Sequence, residues 1–303
     1  MLPPVLIAPV LGMALRSRLN LRIIATAGSI SQHALRGGVA LLGLTLPFGG
    51  LVALGPAPLL LGIGAMLTSL IAGFWIARAA GLSCEEALLS SGAVGICGAS
   101  AAAAIGSILP AGAERERQVS VIIAGVTPFG SAAMLVLPLL IHLLGFGDRI
   151  AGLFLGATIH DMAQVVAAGA TISSAATRVA VLTKMIRVAM LPVVLIGMTL
   201  FLRLTSARRR EAVKEGAATA LPGFILLFLL FSAASSVMEI PPRLSNGAIQ
   251  ISSFLFLMAM AGVGVRSDFR QCFRSAGRCY MAIALQSGLI ALFALVVIYT
   301  HLV

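Results

Sequence analysis

Four residues could do chemistry in an otherwise apolar setting: His160, Asp161, Lys184 and Arg187. His160 and Asp161 sit near the middle of LFLGATIHDMAQVVAAGA, with Gln164 one turn later; Lys184 and Arg187 lie inside RVAVLTKMIRVAMLPVVLIG. An imidazole titrates near neutral pH, so His160 with Asp161 could carry a proton. A carboxylate at mid-bilayer costs roughly 2.5–3.5 kcal/mol on insertion scales, which makes Asp161 functional by default. A structural pair pinning two helices is the competing reading, and Gln164 alone reads as an interhelical hydrogen bond. Lys184 and Arg187 are three residues apart and share one helix face. Lys184 could snorkel to the interface; Arg187 reaches it less easily. Together they want a counter-charge, either Asp161 or an anionic substrate.

A second chemical stretch is GAVGICGASAAAAIGSILP, residues 92–110. Gly95, Gly98, Ser100 and Gly106 either let neighbouring helices approach closely or mark an unwound centre where glycine tolerates non-helical backbone. An unwound centre survives at membrane depth only against protein or a cavity. It would expose N–H groups at a half-helix start, which favours an anion. Cys97 belongs to the same lining, with no base beside it to make it a nucleophile. A similar break is expected at AMAGVG, around Gly262 and Gly264, with Ser252 and Ser253 earlier in that segment as substrate ligands.

The elements that position these residues are membrane helices. The 303 residues are 59% hydrophobic and 10% charged, with mean hydropathy +1.07. A soluble domain carries about 25% charged residues. Ten apolar segments are read, at 3–15, 37–54, 57–78, 87–109, 119–144, 150–170, 178–202, 218–238, 246–265 and 279–302. All are taken as helical, because lipid demands internal backbone hydrogen bonding. The net charge of +11 sits in short loops and follows the positive-inside rule rather than indicating nucleic acid. Loops after odd-numbered segments hold most of the Lys and Arg, placing them in the cytoplasm and both termini outside. The four cysteines form no CxxC pair, so neither a metal site nor a disulfide framework is expected. No cofactor is expected, and no nucleophile or metal set suggests an enzyme.

The expected fold is an all-α polytopic membrane protein forming one domain over 1–303, with about ten transmembrane helices. Five plus five would make two inverted repeats, about 1–146 and 147–303. Two discontinuous helices, the fourth and ninth segments, would cross at mid-membrane. Interrupted segments at corresponding positions point to a transporter binding site.

GAVGICGASAAAA, LGATIHDMAQVVAAG, TKMIRVAMLPV and LMAMAGVG together resemble the YeiH-like putative sulfate exporter family of prokaryotic inner-membrane proteins, from about residue 29 to the C-terminus. The resemblance implies the inverted-repeat fold of sodium/proton antiporters and bile-acid symporters, with a core moving against a panel. It also implies a sulfur oxyanion as substrate; sulfite or an organosulfonate would fit the same residues. The combined expectation is a secondary transporter of a small anion across the bacterial inner membrane. Gly95, Cys97, Gly98, Ser100, Lys184, Arg187, Ser252, Ser253, Gly262 and Gly264 would line the substrate, and His160 and Asp161 would couple it to a proton. A monovalent cation/proton antiporter is the rival reading. Proton or sodium coupling and a homodimeric assembly stay open at this point.

Overall fold

A computed structural model of the chain describes residues 30, 33–34, 36–38, 40–41, 43–45, 55–109, 113–205, 223–238, 240–266 and 277–300. The expected segment at 3–15 and most of that at 37–54 lie outside the described residues. Among the described residues every regular element longer than one turn is a helix. In chain order the long elements are α1 (Ala57–Ala79), α2 (Cys84–Gly95), α3 (Ala99–Ser107), α4 (Ala113–Leu144), α5 (Asp148–Thr158), α6 (Met162–Ala170), α7 (Ser174–Ala189), α8 (Leu191–Thr205), α9 (Gly223–Val237), α10 (Pro242–Arg266) and α11 (Gly277–Tyr299). Helix α1 contains a π-turn at Ser69–Gly73.

Among the described residues four stretches are long and apolar enough to cross a membrane: Ala57–Ala79, Arg117–Leu144, Ser174–Leu202 and Gly277–Tyr299. Their outward faces carry exposed apolar side chains, among them Leu60, Trp75, Leu139, Leu143 and Leu292. A water-soluble surface rarely presents such contiguous apolar area.

The helices between the first three of these stretches, α2, α3, α5 and α6, are too short to cross. Helix α2 has 12 residues and α5 has 11. At 1.5 Å per residue each reaches about 16–18 Å, roughly half of a ~30 Å hydrocarbon core. The chain then turns back. Gly92 of α2 packs on Ile105 of α3, which a continuous helix would hold about 19 Å away. The second case follows from α7. Gly152 faces Ala176 and Val179, and Gly156 faces Ala180 and Thr183, so α5 and α7 run parallel. Gly169 of α6 faces Thr177 of the same helix, so α6 runs back against α7. Hence α2–α3 and α5–α6 are two helical hairpins.

Helix α4 separates them and sets their directions. Gly106, at the base of the first hairpin, packs on Val119 near the start of α4. The second hairpin starts just past the other end of α4, after the turn at Gly145. The hairpins therefore enter from opposite ends of α4 and their tips meet at its middle. Helix α11 agrees: the Arg278 guanidinium lies by Gly81, before the first hairpin, and the Tyr299 ring lies 6.1 Å from that of Phe146, before the second.

Three expectations change. The segments at 87–109 and 150–170 are hairpins, each beginning and ending on one side, rather than crossing helices. The alternation of loops shifts with them: Arg78 shares a face with Arg115 and Arg117, and Arg149 with Arg178. The second discontinuous element is the sixth segment, not the ninth. Helix α10 continues through Gly262 and Gly264 to Arg266. Glycine permits a break without forcing one, and a membrane helix keeps its backbone paired unless another group takes over those bonds.

Candidate functional site at the meeting of the hairpin tips

Each hairpin turns on three residues. In the first, Ile96 N–H donates to Gly92 O at 3.0 Å and Gly98 N–H to Ala93 O at 2.8 Å, closing α2. Gly98 then stands at φ 65°, ψ −125° as the N-cap of α3, with no side-chain cap. This backbone region belongs to glycine, because a Cβ would strain it. In the second hairpin, Ile159 is extended and Asp161 is the N-cap of α6. Asp161 Oδ1 accepts from Ala163 N–H at 2.9 Å, and Gln164 Oε1 accepts from Asp161 N–H at 3.3 Å. This is a reciprocal capping box. The tips touch: a Cβ on Gly98 would lie 3.8 Å from the backbone carbon and Cβ of His160 and 3.4 Å from Val126 of α4.

Behind both tips stand the two buried cations of α7. Arg187 donates from Nε to Gly95 O (2.8 Å), from Nη2 to Val94 O (2.9 Å), and from Nη1 to Gly156 O (3.3 Å) and Ala157 O (2.5 Å). Lys184 Nζ donates to Ile159 O at 2.6 Å. Both side chains are fully buried. The last carbonyls of a helix lack intrahelical partners and carry about half a negative charge. The hairpins bring two such ends to mid-depth, and Arg187 caps both with one guanidinium. This placement excludes snorkelling. It also shows main-chain carbonyls as the hydrogen-bond partners of both cations, where the sequence suggested a carboxylate or a substrate.

His160 is 1% exposed. Its Nε2 lies 2.8 Å from Ser287 Oγ of α11, and its Nδ1 has no hydrogen-bond partner among the described residues. Gln164 ties the second hairpin to α4 as the sequence suggested, donating to Thr127 O and Ser131 Oγ at 3.2 Å each. A cavity of about 190 Å³ lined by Ser120, Ile123, Ala124 and Thr127 lies along that same stretch of α4.

The structure brings Gly95, Cys97, Gly98, His160, Asp161, Lys184 and Arg187 into this one region, with Ser100 exposed at the start of α3. Cys97 is buried. Ser252 is buried in α10 with its hydroxyl unpartnered among the described residues; the Ser253 side chain lies outside what is described. Gly262 and Gly264, lying inside a continuous helix, supply no free N–H groups.

Sequence reasoning missed two residues. Gln286 of α11 donates to Gly73 O at 2.8 Å, in the π-turn, and to Ser90 Oγ at 3.1 Å. Ser287 meets His160. Both are polar residues inside the last apolar segment, and the criterion that singled out Asp161 would have found them.

Helices with lipid-grade apolar faces, built around a polar centre at mid-depth, define an integral membrane protein. The family model described as "Conserved hypothetical protein 698" matches residues 1–283, and the chain belongs to that family. It is 37% identical over 295 residues to the UPF0324 membrane protein TauZ of Paracoccus denitrificans, covering 96% of this chain and 86% of that one. It is 35% identical over 298 residues to the UPF0324 membrane protein RB0971 of Rhizobium meliloti, covering 98% and 86%. It is 33% identical over 277 residues to the UPF0324 membrane protein CT0845 of Chlorobaculum tepidum, covering 89% and 75%. No solved structure matches the chain.

Proposed function

We propose that this protein is a secondary active transporter of a small anion, of the sulfate or sulfite type, in the bacterial inner membrane. The carrying observation is the pair of hairpins that enter from opposite faces and meet at Gly98 and His160, backed by Lys184 and Arg187. Two short half-helices meeting at mid-depth leave only thin barriers above and below, which suits alternating access. The buried cations keep that centre electropositive, and the Ala99 and Ser100 N–H groups at the uncapped start of α3 add donors. The repeating unit in this reading is a span followed by a hairpin, α1–α3 and then α4–α6, related by inversion. The full molecule would add further spans, toward the ten expected. Arg78, Arg115, Arg117 and Arg278 on the first hairpin's face make that face cytoplasmic by the positive-inside rule. Transport, not catalysis, is the proposed activity.

A cation/proton antiporter is the second reading, favoured by one observation: Asp161 is partly exposed at a tip. Thermal unfolding of the purified protein at matched ionic strength separates the two. A saturable midpoint rise with one oxyanion supports the anion reading, since a ligand bound only to the folded state stabilises by mass action. Sulfate also stabilises proteins non-specifically, so a rise that does not saturate counts against it. A saturable rise with sodium or lithium alone, lost in Asp161→Asn, replaces it with the antiporter.

A further inference from the structure

The hydrogen bonds around His160 fix its tautomer. Ile283 O, at 2.7 Å, and His160 Nε2 compete for the single proton of Ser287 Oγ, and both hydrogen bonds form at once only when that proton goes to Ile283 O. Toward His160 Nε2, at 2.8 Å, the hydroxyl oxygen can then only accept, so Nε2 carries the imidazole proton. Nδ1 is left as a lone pair, buried and without a donor among the described residues. The Val94 carbonyl, which also accepts from Arg187 Nη2, faces the ring and would accept the hydrogen bond of a proton placed on it.

The surrounding charges decide when Nδ1 can be used. The charged groups acting on it are Lys184 and Arg187 of α7; Asp161 is its neighbour in the same tip, Cys97 lies in the other tip among the same charges, and α11 offers the neutral Ser287 hydroxyl. With the centre empty, a third positive charge on the imidazole is opposed by Lys184 and Arg187. An anion at the tips offsets that repulsion. By linkage the proton and the anion then raise each other's affinity by the same factor.

We propose that His160 is the proton-binding group of the transport cycle, held by Ser287 as the Nε2–H tautomer and taking one proton from solvent onto Nδ1 when an anion occupies the tips. This rests on the anion reading above. The proton adds to the lone pair without breaking another bond, and it is released when the anion leaves.

The test uses two readouts. In protein labelled with ¹⁵N-histidine in nanodiscs, His160 is assigned by difference from His160→Gln. The expected spectrum without anion shows a neutral ring protonated at Nε2, and saturating sulfate at acidic pH turns it into imidazolium. In Ser287→Ala the ring remains but becomes a tautomer mixture. In proteoliposomes, sulfate counterflow first reports whether the protein carries the anion at all. A pH gradient should then drive wild-type accumulation at least tenfold above gradient-free vesicles, and His160→Gln should lose that increment while melting like a folded protein. An Nδ1–H tautomer, a ring that stays neutral with sulfate across the acid range, or undiminished gradient-driven accumulation in His160→Gln overturns the proposal. Absent counterflow in the wild type instead sinks the anion reading, and the spectrum alone then decides whether His160 takes a proton.

Discussion

The two hairpin tips, Ile96-Cys97-Gly98 and Ile159-His160-Asp161, hold corresponding positions and solve the same problem differently. Each must end one helix, reverse the chain and start another at a depth where water is scarce. The first does this with glycine backbone, so its N-cap residue, Gly98, has no side chain to cap α3. The second does it with a charged side chain that caps α6. One tip thus leaves N–H donors for something else, and the other satisfies its own. The carbonyl ends are treated alike, because Arg187 caps both. The difference confines the functional asymmetry to the N-terminal starts of α3 and α6.

Removing the shared element should have the largest effect. Arg187→Met leaves carbonyls of both hairpins buried without a donor, at about 1–3 kcal/mol for each group left unsatisfied. The expected outcome is loss of folded protein or a large fall in the detergent melting midpoint. A midpoint within a degree of wild type would show that the guanidinium does not hold the tips. Lys184→Met, which frees only Ile159 O, should fall much less and leave folded protein whose melting no longer responds to sulfate.

Gly98→Ala tests the first tip alone. The steric room is adequate, with the nearest atom 3.4 Å away, so the cost comes from the backbone conformation, about 1–3 kcal/mol. The expected melting shift is several degrees. A neutral outcome would mean that the turn relaxes to a conformation any residue can adopt.

How much of this was legible follows from the two tips. The membrane setting, the shared face of Lys184 and Arg187, the break near Gly98 and the Gln164 contact all followed from residue types and spacing. The hairpin reversal did not. The stretch 87–109, rich in small apolar residues, reads the same whether it crosses or turns back, and only contacts such as Gly92 with Ile105 distinguish the two. The second break carried a readable signal that was attributed to chemistry alone: Asp161-Met162-Ala163-Gln164 has the spacing of a helix start. AMAGVG misled for the opposite reason: glycines permit a break without forcing one, and α10 runs through them to Arg266.

The smallest expected effect separates the two roles of Asp161. Asparagine caps a helix about as well as aspartate, whereas alanine costs about 0.5–2 kcal/mol. Asp161→Asn should therefore melt within a degree or two of wild type and Asp161→Ala several degrees lower, as read by unfolding of the three proteins side by side. If Asp161→Asn melts like Asp161→Ala, the charge matters beyond the cap, and its pairing with the field of Lys184 and Arg187 contributes to holding the tips together. If it melts like wild type yet loses the pH dependence of sulfate stabilisation, the charge acts on the occupant of the tips instead. The second tip would then combine a structural cap with an electrostatic part that the first, ending in Gly98, cannot supply.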